Sequence, residues 1–320
     1  RLYMFNRDVL KLYYHVVRNV RKISGLHKKR DIQMNFAAAE LIRNTHSIEK
    51  GLSIKNPRIG FGKQKQREMM GQISILQNSN LLYHREVCEM AIDAITEYIE
   101  YHRSKSVTDE FICELQEFID SIKADDKFPD KIGGTQSFFK KDAQFNIREI
   151  ENFIYTRHSI RDFDSSPVDE NKLLQALILA QRAPSACNRQ SVRAYVINPE
   201  DFAGLSEQLQ SIGGFAEAVS RYVLITGKHS SYRLSENNQY IVSASMYAAY
   251  LTLTLHLYGM GGCVIQRPVV WTPQWAENRK KLKIPVDEQI ICMVAVGNLK
   301  ESCRVPVSHR LQNCNVIKFI

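Results

Sequence analysis

Three polar side chains, Arg157, Ser159 and Arg161, alternate along residues 155–163. In an extended segment, residues of one parity point to one side, so two guanidinium groups and a hydroxyl would converge on one ligand. Arginine is well suited to grip a phosphate or the edge of a flat heterocycle. The alternative is that both arginines lie in surface ion pairs, and this segment alone does not choose between the two interpretations.

The whole chain has the composition of an ordinary globular protein, with 44% hydrophobic and 24% charged residues. Its 320 residues predict two domains, or one domain with a large extension. The net charge is +9, but residues 1–35 alone contain nine basic and two acidic residues. Because the remainder is close to neutral, the sequence argues against a nucleic-acid-binding protein.

The cysteine pattern predicts a reducing, cytoplasmic location. The chain has seven cysteines, none of them in C-x-x-C spacing, and no His/Cys cluster has the spacing of a zinc site. Disulfides are rare in the cytosol, so an odd number of scattered cysteines fits that compartment. No metal site and no signal peptide are expected.

Residues 1–30 follow the pattern of a basic amphipathic helix, with apolar residues at every third or fourth position. Such a helix can make a peripheral contact with an anionic membrane surface. It can also pack on the protein with its basic face in solvent, which is the favoured interpretation.

A second helix is predicted over residues 36–52, with Gly51 as the glycine that follows the helix end. His46, Glu49 and Lys50 share one face of this helix, since they are three and four residues apart. Together they suggest either a proton-handling site or a surface charge pair, and the charge pair is favoured.

Helical periodicity continues over residues 63–122, with a break predicted near residues 104–108. Residues 123–146 are polar and contain proline and glycine, which is typical of a linker. We therefore expect a helical N-terminal region at residues 1–147 and a second domain at residues 148–320.

The second domain mixes helices and strands. A capping box at Ser166 and Asp169, with Pro167 between them, predicts a helix that runs to about residue 182. Residues 238–258 form an uncharged helical run that is long enough for a bilayer, but its polar side chains favour a buried or subunit-interface helix. Short β-branched runs predict strands at residues 193–198, 221–228, 262–266 and 289–298.

Six short motifs follow one another along residues 153–320: R-x-S-I-R-x-F at 157–163, P-V at 167–168, A-P-S-x-x-N-x-Q at 183–190, G-M-G-G-C at 259–263, V-G at 296–297 and a late arginine at 310. With these motifs the region resembles the FMN-dependent nitroreductase family, in which they occur in the same order. The ordered set is more specific than any single motif. The resemblance implies an α+β, nitroreductase-like fold: a central mixed or antiparallel sheet flanked by helices, dimeric, and here preceded by an α-helical extension.

The resemblance implies roles for residues at both ends of this region. Arg157 and Arg310 would hold the FMN phosphate, with Ser159 and Ser308 beside them. Arg161 would face the pyrimidine edge of the flavin, where a cation stabilises the negative charge of the reduced ring.

The resemblance also implies that two chains share the site, because the cofactor of this family lies in the dimer interface. Pro184, Ser185 and Asn188 would come from the other subunit. The backbone beside the flavin's central ring would be that of Gly261, Gly262 and Cys263.

The activity implied is that of an oxidoreductase, in which FMN takes a hydride from NADH or NADPH and passes it to a small acceptor by ping-pong turnover. The acceptor would be a quinone, a nitroaromatic or another conjugated molecule. The chain has no evident nucleophile–base pair and no G-x-G-x-x-G turn after a strand. The absence of both fits a protein that leaves the chemistry to a flavin.

Several positions depart from the family pattern. Ser191 and Val192 replace a common Pro-Trp pair, only Gln210 stands near an expected asparagine, and Ser308 replaces a common lysine. Cys187 and Cys263 would lie near the flavin, as packing residues or with a redox role.

Other functions therefore stay open. One is a non-catalytic helper in envelope-polysaccharide assembly. The others are a reductive dehalogenase or a flavin-consuming enzyme of the same fold.

Overall fold

The structure, a computed structural model, describes residues 13, 17, 30–122, 128, 130–201, 214–236, 238–266 and 273–320. The side chains of residues 30 and 273–276 are not described. The helix predicted for residues 1–30 lies almost wholly outside the described residues, and so does Gln210. Both interpretations therefore stay predictions.

The N-terminal helical region encloses an apolar core of its own. Ile48, Met69, Ile95 and Tyr98 are fully buried in this core, because the apolar face of each helix turns toward the others. The helices of this region are α1 at Arg30–Leu52, α2 at Lys63–Leu76, α3 at Leu82–Ser104 and α4 at Glu110–Ser121.

The break predicted near residues 104–108 is confirmed. Helix α3 ends at Ser104, and Asp109 then caps α4 by accepting a hydrogen bond from the backbone N–H of Ile112. An aspartate in this position satisfies a donor that the first turn of a helix leaves without a partner.

The predicted role of Gly51 is wrong, because α1 continues through it to Leu52. A Cβ atom at Gly51 would lie 2.1 Å from Cε2 of Phe61. The Phe61 ring meets the Tyr98 ring edge-on at 5.1 Å, and the Tyr98 hydroxyl donates to the Phe61 carbonyl oxygen. Glycine is therefore needed here for close packing rather than for ending the helix.

The sheet domain, residues 147–320, has helices on an antiparallel sheet. The strand order is β1-β5-β3-β2, and β4 pairs with β5 as well. This arrangement, with the helical region before it, confirms the predicted α+β fold class. The elements in chain order are α5 at Ile147–Thr156, β1 at Phe163–Asp164, α6 at Glu170–Ala180, β2 at Val192–Ile197, β3 at Arg221–Lys228, α7 at Gln239–Leu257, β4 at Met260–Ile265, α8 at Pro273–Lys281, β5 at Glu288–Leu299 and α9 at Asn313–Val316.

Both faces of the sheet are buried, which explains why its central strands are apolar throughout. On β3, Tyr222 and Leu224 enter one core, whereas Val223 and Ile225 enter the other. The second core is closed by α6 and α7, with Leu251 fully buried. The predicted strands are confirmed to within two residues at each end, because β-branched runs suit a pleated surface that is covered on both sides.

The predicted capping box at Ser166 is wrong, since α6 begins three residues later. The N-cap is Asp169, whose carboxylate accepts from the backbone N–H groups of Asn171 and Lys172. Ser166 instead donates its backbone N–H and its hydroxyl to the Asp164 carboxylate. It thus closes a turn between β1 and the helix.

Two interpretations of the helices can be compared with the structure. His46 and Glu49, which are predicted to pair, are in contact, with 3.3 Å between Nδ1 and Oε2. The helix predicted at residues 238–258 is α7, and no described helix is long and apolar enough to cross a membrane. The boundary at residue 148 stays a prediction.

The two glycines Gly51 and Gly71 make a matched pair for a test of packing. A Cβ atom at Gly71 on the exposed side of α2 would meet nothing within 4 Å. We expect Gly51→Ala to lower the free energy of unfolding by about 1–3 kcal/mol through overpacking. Gly71→Ala should instead raise it by about 0.5–1 kcal/mol, because alanine favours the helix.

Urea denaturation of both variants measures these changes. Equal effects of the two substitutions would show that Phe61 does not constrain residue 51.

Candidate functional site

The arginine segment, residues 157–161, lies against strand β4. Arg157 ends helix α5, and Ser159 then forms a parallel bridge with Gly262. The backbone N–H of Ile160 donates to the Gly262 carbonyl oxygen at 3.2 Å, and the Ile160 side chain is buried in the core. The segment is therefore extended and fixed, as its alternating pattern predicts.

The two arginines of this segment lie near different groups. Among the described residues, no carboxylate is within ion-pair distance of Arg157 or Arg161. Arg157 lies close enough to His256 for its charge to oppose protonation of the imidazole. Arg161 is exposed and its charge reaches the Cys263 thiol, although burial dominates there and raises the pKa of that thiol. Surface ion pairs thus do not explain these arginines within the described part of the chain.

His256 is a polar residue of this site that the sequence analysis passed over. Its Nε2 lies 3.0 Å from Oγ1 of Thr156, and its ring stacks on Phe153 with centroids 5.3 Å apart. Burial lowers the pKa of His256, and the charges of Arg157 and His158 lower it further. The histidine therefore joins the end of α7 to the end of α5, directly before Arg157. A single polar ring near the end of an apolar helix is the only signal of this role in the sequence.

Gly261 and Gly262 have a packing role in this chain. A Cβ atom at Gly261 would lie 3.0 Å from Cβ of Ile160 and 3.0 Å from Cε1 of Phe163. A Cβ atom at Gly262 would lie 3.1 Å from Cδ1 of Leu255. The missing side chains thus let the arginine segment and α7 close on β4 from both sides. The predicted approach of a flavin to this backbone stays a prediction.

The 184–190 loop, which contains Pro184, Ser185 and Asn188, leads into β2. Its backbone is unusual, because Cys187, Asn188 and Gln190 have φ angles of 53°, 54° and 47°. Three internal hydrogen bonds hold the loop. Ser185 Oγ accepts from the Gln190 backbone N–H, the Ser185 carbonyl oxygen accepts from the Asn188 N–H, and the Ala186 carbonyl oxygen accepts from the Arg189 N–H. Residues with side chains rarely adopt this left-handed conformation, so the loop must be held from outside as well.

The structure does not bring the 184–190 loop and the arginine segment together within one chain. The backbone N–H of Ala186 donates to Ser243 Oγ near the start of α7, whereas Thr156 contacts His256 near the end of that helix. Thirteen residues of helix separate Ser243 from His256, which is a rise of about 20 Å. Within a single protomer, the two groups of predicted residues therefore lie beside opposite ends of α7.

The C-terminal candidates Ser308 and Arg310 lie on an exposed segment that follows β5. Arg310 donates to the Ser308 carbonyl oxygen, and Ser308 has a φ of 46°. Among the described residues, no hydrogen bond joins this segment to Arg157, and no group of three or more His, Cys, Asp or Glu residues is arranged to hold a metal ion. The phosphate contact of Arg310 therefore stays a prediction.

Comparison with known proteins places part of the sheet domain in a family. Residues 154–224 match the family model described as the Nitroreductase family. This range contains the arginine segment, the 184–190 loop and strands β1 and β2. No curated protein matches the chain.

Solved structures similar to this chain cover about half of it. An FMN-dependent nitroreductase from Clostridium difficile R20291 is 25% identical, with a TM-score of 0.44 over 52% of this chain and 96% of that one. A nitroreductase-like protein from Streptococcus mutans is 18% identical, with a TM-score of 0.47 over 55% of this chain and 100% of that one. A nitroreductase family protein from Streptococcus pneumoniae TIGR4 is 16% identical, with a TM-score of 0.44 over 53% and 100% of the two chains.

The predicted resemblance is confirmed for the segment that carries the first three motifs. The chain thus contains a segment of the nitroreductase family, whose members are oxidoreductases. This segment lies in an α+β domain that follows a helical region.

Proposed function

We propose that this protein is an FMN-dependent oxidoreductase that uses NADH or NADPH to reduce a small conjugated acceptor, such as a quinone or a nitroaromatic. The family match at residues 154–224 supports the class of enzyme. The cofactor, the electron donor and the acceptor belong to the proposal, and so does a cytoplasmic location.

The observation that carries the proposal is the arginine segment itself. Two guanidinium groups without a carboxylate partner among the described residues lie on one extended segment, and that segment is hydrogen-bonded to β4 at Gly262. Cationic side chains held in this way are suited to an anionic ligand with a flat polar edge.

The residues present fit FMN in charge and hydrogen bonding. Arg157, at the end of α5, would hold the phosphate with Ser159 beside it, and Arg161 would donate to the pyrimidine edge. Arg161 has donors to spare, since its one hydrogen bond within the described part of the chain is a long one of 3.4 Å to the Ser159 carbonyl oxygen. Bound FMN would supply the hydride chemistry, and the protein would supply position and charge.

A homodimer would complete the site. Val242, Met246, Tyr250 and Leu257 form an exposed apolar stripe along α7, at helical spacing. If two copies of α7 pack antiparallel about a two-fold axis, the start of one helix lies beside the end of the other. That packing would bring the 184–190 loop of one protomer to the arginine segment of its partner, whereas within one chain they lie about 20 Å apart along α7.

The first test concerns colour and Arg157. The purified protein should be yellow, release FMN when denatured and bleach with NADH or NADPH. Arg157→Ala should bind FMN roughly 10- to 100-fold more weakly, because it loses charge-assisted hydrogen bonds to the phosphate. Titration of the variant with FMN measures the affinity, and sedimentation checks that the dimer persists.

Arg148→Ala is the matched control, since Arg148 lies exposed on the first turn of the same helix, α5. It should bind FMN as tightly as the unmodified protein. A protein that stays colourless after incubation with FMN would contradict the proposed function. Full flavin occupancy in Arg157→Ala would contradict the role of that residue alone.

The second test concerns the order of the substrates. If the nicotinamide leaves before the acceptor enters, double-reciprocal plots of rate against one substrate should be parallel at several concentrations of the other. Intersecting lines would mean that both substrates occupy the protein together, and the ping-pong scheme would be abandoned.

A further inference from the structure

Arg189 is a buried cation within the 184–190 loop. Its side chain has no exposed surface, which is rare for arginine. Nη2 donates to both carboxylate oxygens of Glu236, at 2.9 and 3.0 Å, and the guanidinium lies 4.7 Å from the centre of the Tyr232 ring. The residue is thus anchored to the segment that precedes α7, while its backbone belongs to the loop.

A second carboxylate reaches the same site from the N-terminal helical region. Glu40 of α1 is only 5% exposed, and its Oε1 lies 3.6 Å from Nη2 of Arg189. It also accepts hydrogen bonds from Arg43, at 2.9 Å, and from Arg233. Burial alone would raise the pKa of Glu40, but the hydrogen bonds and charges of Arg43 and Arg233 outweigh it and lower that pKa. Glu40 is therefore ionised at neutral pH.

Helix α1 comes this close because small residues precede Glu40. Ala38 and Ala39 are fully buried, and α1 packs against the turn at Ala186–Asn188 and the turn at His229–Ser231. Three alanines in a row leave the helix surface without bulky side chains, so its backbone can approach the loop. The N-terminal helical region is therefore in direct contact with the most unusual backbone of the sheet domain.

That backbone requires support. Asn188 and Gln190 flank Arg189 and are both in the left-handed region, as is Cys187. Residues held in sparsely populated backbone regions persist only when the surrounding structure over-determines them. Anchoring of Arg189 from two directions supplies such a constraint at the middle of the strained run.

We propose that Glu40 is a positioning residue for the cofactor site: acting through Arg189, it holds the 184–190 loop in the conformation that contacts FMN. The inference rests on the proposed function, in which this loop forms part of the flavin site of a partner subunit. Glu40 itself contacts no cofactor. If the loop samples other conformations, its apparent affinity for FMN falls in proportion to the fraction of molecules in the binding conformation. Loss of this anchor therefore lowers the affinity without removing any contact to the ligand.

The experiment uses the full chain with Glu40→Gln, which keeps the shape of the side chain and removes its charge. If the competent fraction of the loop falls to about one tenth, the apparent dissociation constant of FMN rises about tenfold. Quenching of flavin fluorescence on titration measures it. At saturating FMN the steady-state rate should return to that of the unmodified protein, which a generally damaged fold would not allow.

A second measurement needs no flavin. In the FMN-free protein, trypsin should cleave after Arg189 faster in Glu40→Gln than in the unmodified protein, because the buried guanidinium becomes accessible. Asp109→Asn is the matched control. It neutralises a carboxylate of the same helical region that pairs with Lys63 at 2.7 Å instead of with Arg189 or Arg233, and asparagine keeps the cap of α4. The control should change neither the FMN affinity nor cleavage after Arg189.

Arg233→Gln provides a second variant if Glu40→Gln fails to fold. Arg233 is half exposed, so its loss disturbs the junction less, and the same two readouts should shift in the same direction by a smaller factor.

The outcomes separate the two proposals. Unchanged FMN affinity in a folded Glu40→Gln protein would overturn the inference, whether or not cleavage after Arg189 increases. Unmodified protein that binds no FMN would overturn the proposed function and this inference with it, while the trypsin experiment would still report whether Glu40 holds the loop.

Discussion

The candidate site depends on the close approach of one extended segment to one strand, through the hydrogen bond from Ile160 to Gly262. This contact is possible because Gly261 has no side chain, since a Cβ atom there would lie 3.0 Å from Cβ of Ile160. Ile160 then enters the core, and the alternation of an extended chain directs its neighbours Ser159 and Arg161 away from it. Gly262 lets α7 pack on the other side of β4, since a Cβ atom there would lie 3.1 Å from Cδ1 of Leu255. A single backbone contact thus sets the position of the cationic groups relative to the sheet.

The contact between the helical region and the sheet domain contains a buried network of charges beside the packed alanines of α1. Glu40 and Glu236 are surrounded by arginines, and the guanidinium of Arg189 has no access to solvent. A buried ion pair rarely adds much net stability, because desolvation offsets the attraction, but removing one partner is costly. Such a network acts mostly on geometry. Here it stabilises one docking position of α1, because any other position would leave a buried charge without its partner. This specificity matters because the adjoining loop has an unusual backbone.

The sequence predicted the strands of the sheet domain well, because their apolar β-branched runs are long and local. It also predicted that the arginine segment is extended. It failed where a residue's role depends on a contact that the spacing of residues does not show. Gly51 packs against the ring of Phe61, and Ser166 donates to the nearby Asp164 instead of capping α6. The ion pair of Glu40 with Arg233 joins positions 193 residues apart, so no local sequence pattern predicts it. The left-handed run around Arg189 contains no glycine, which removes the usual signal of such a backbone.

Helix α7 contacts both parts of the candidate cofactor site, one at each end. Its start is hydrogen-bonded to the 184–190 loop through Ser243, and its end is joined to the arginine segment through His256. In the proposed dimer these two ends serve different cofactors. One rod of 19 residues would then run from the first flavin site to the second, and its partner would run back. In that dimer a single helix would contribute to the packing of both flavin sites, so a substitution in the middle of α7 would act on the two sites together.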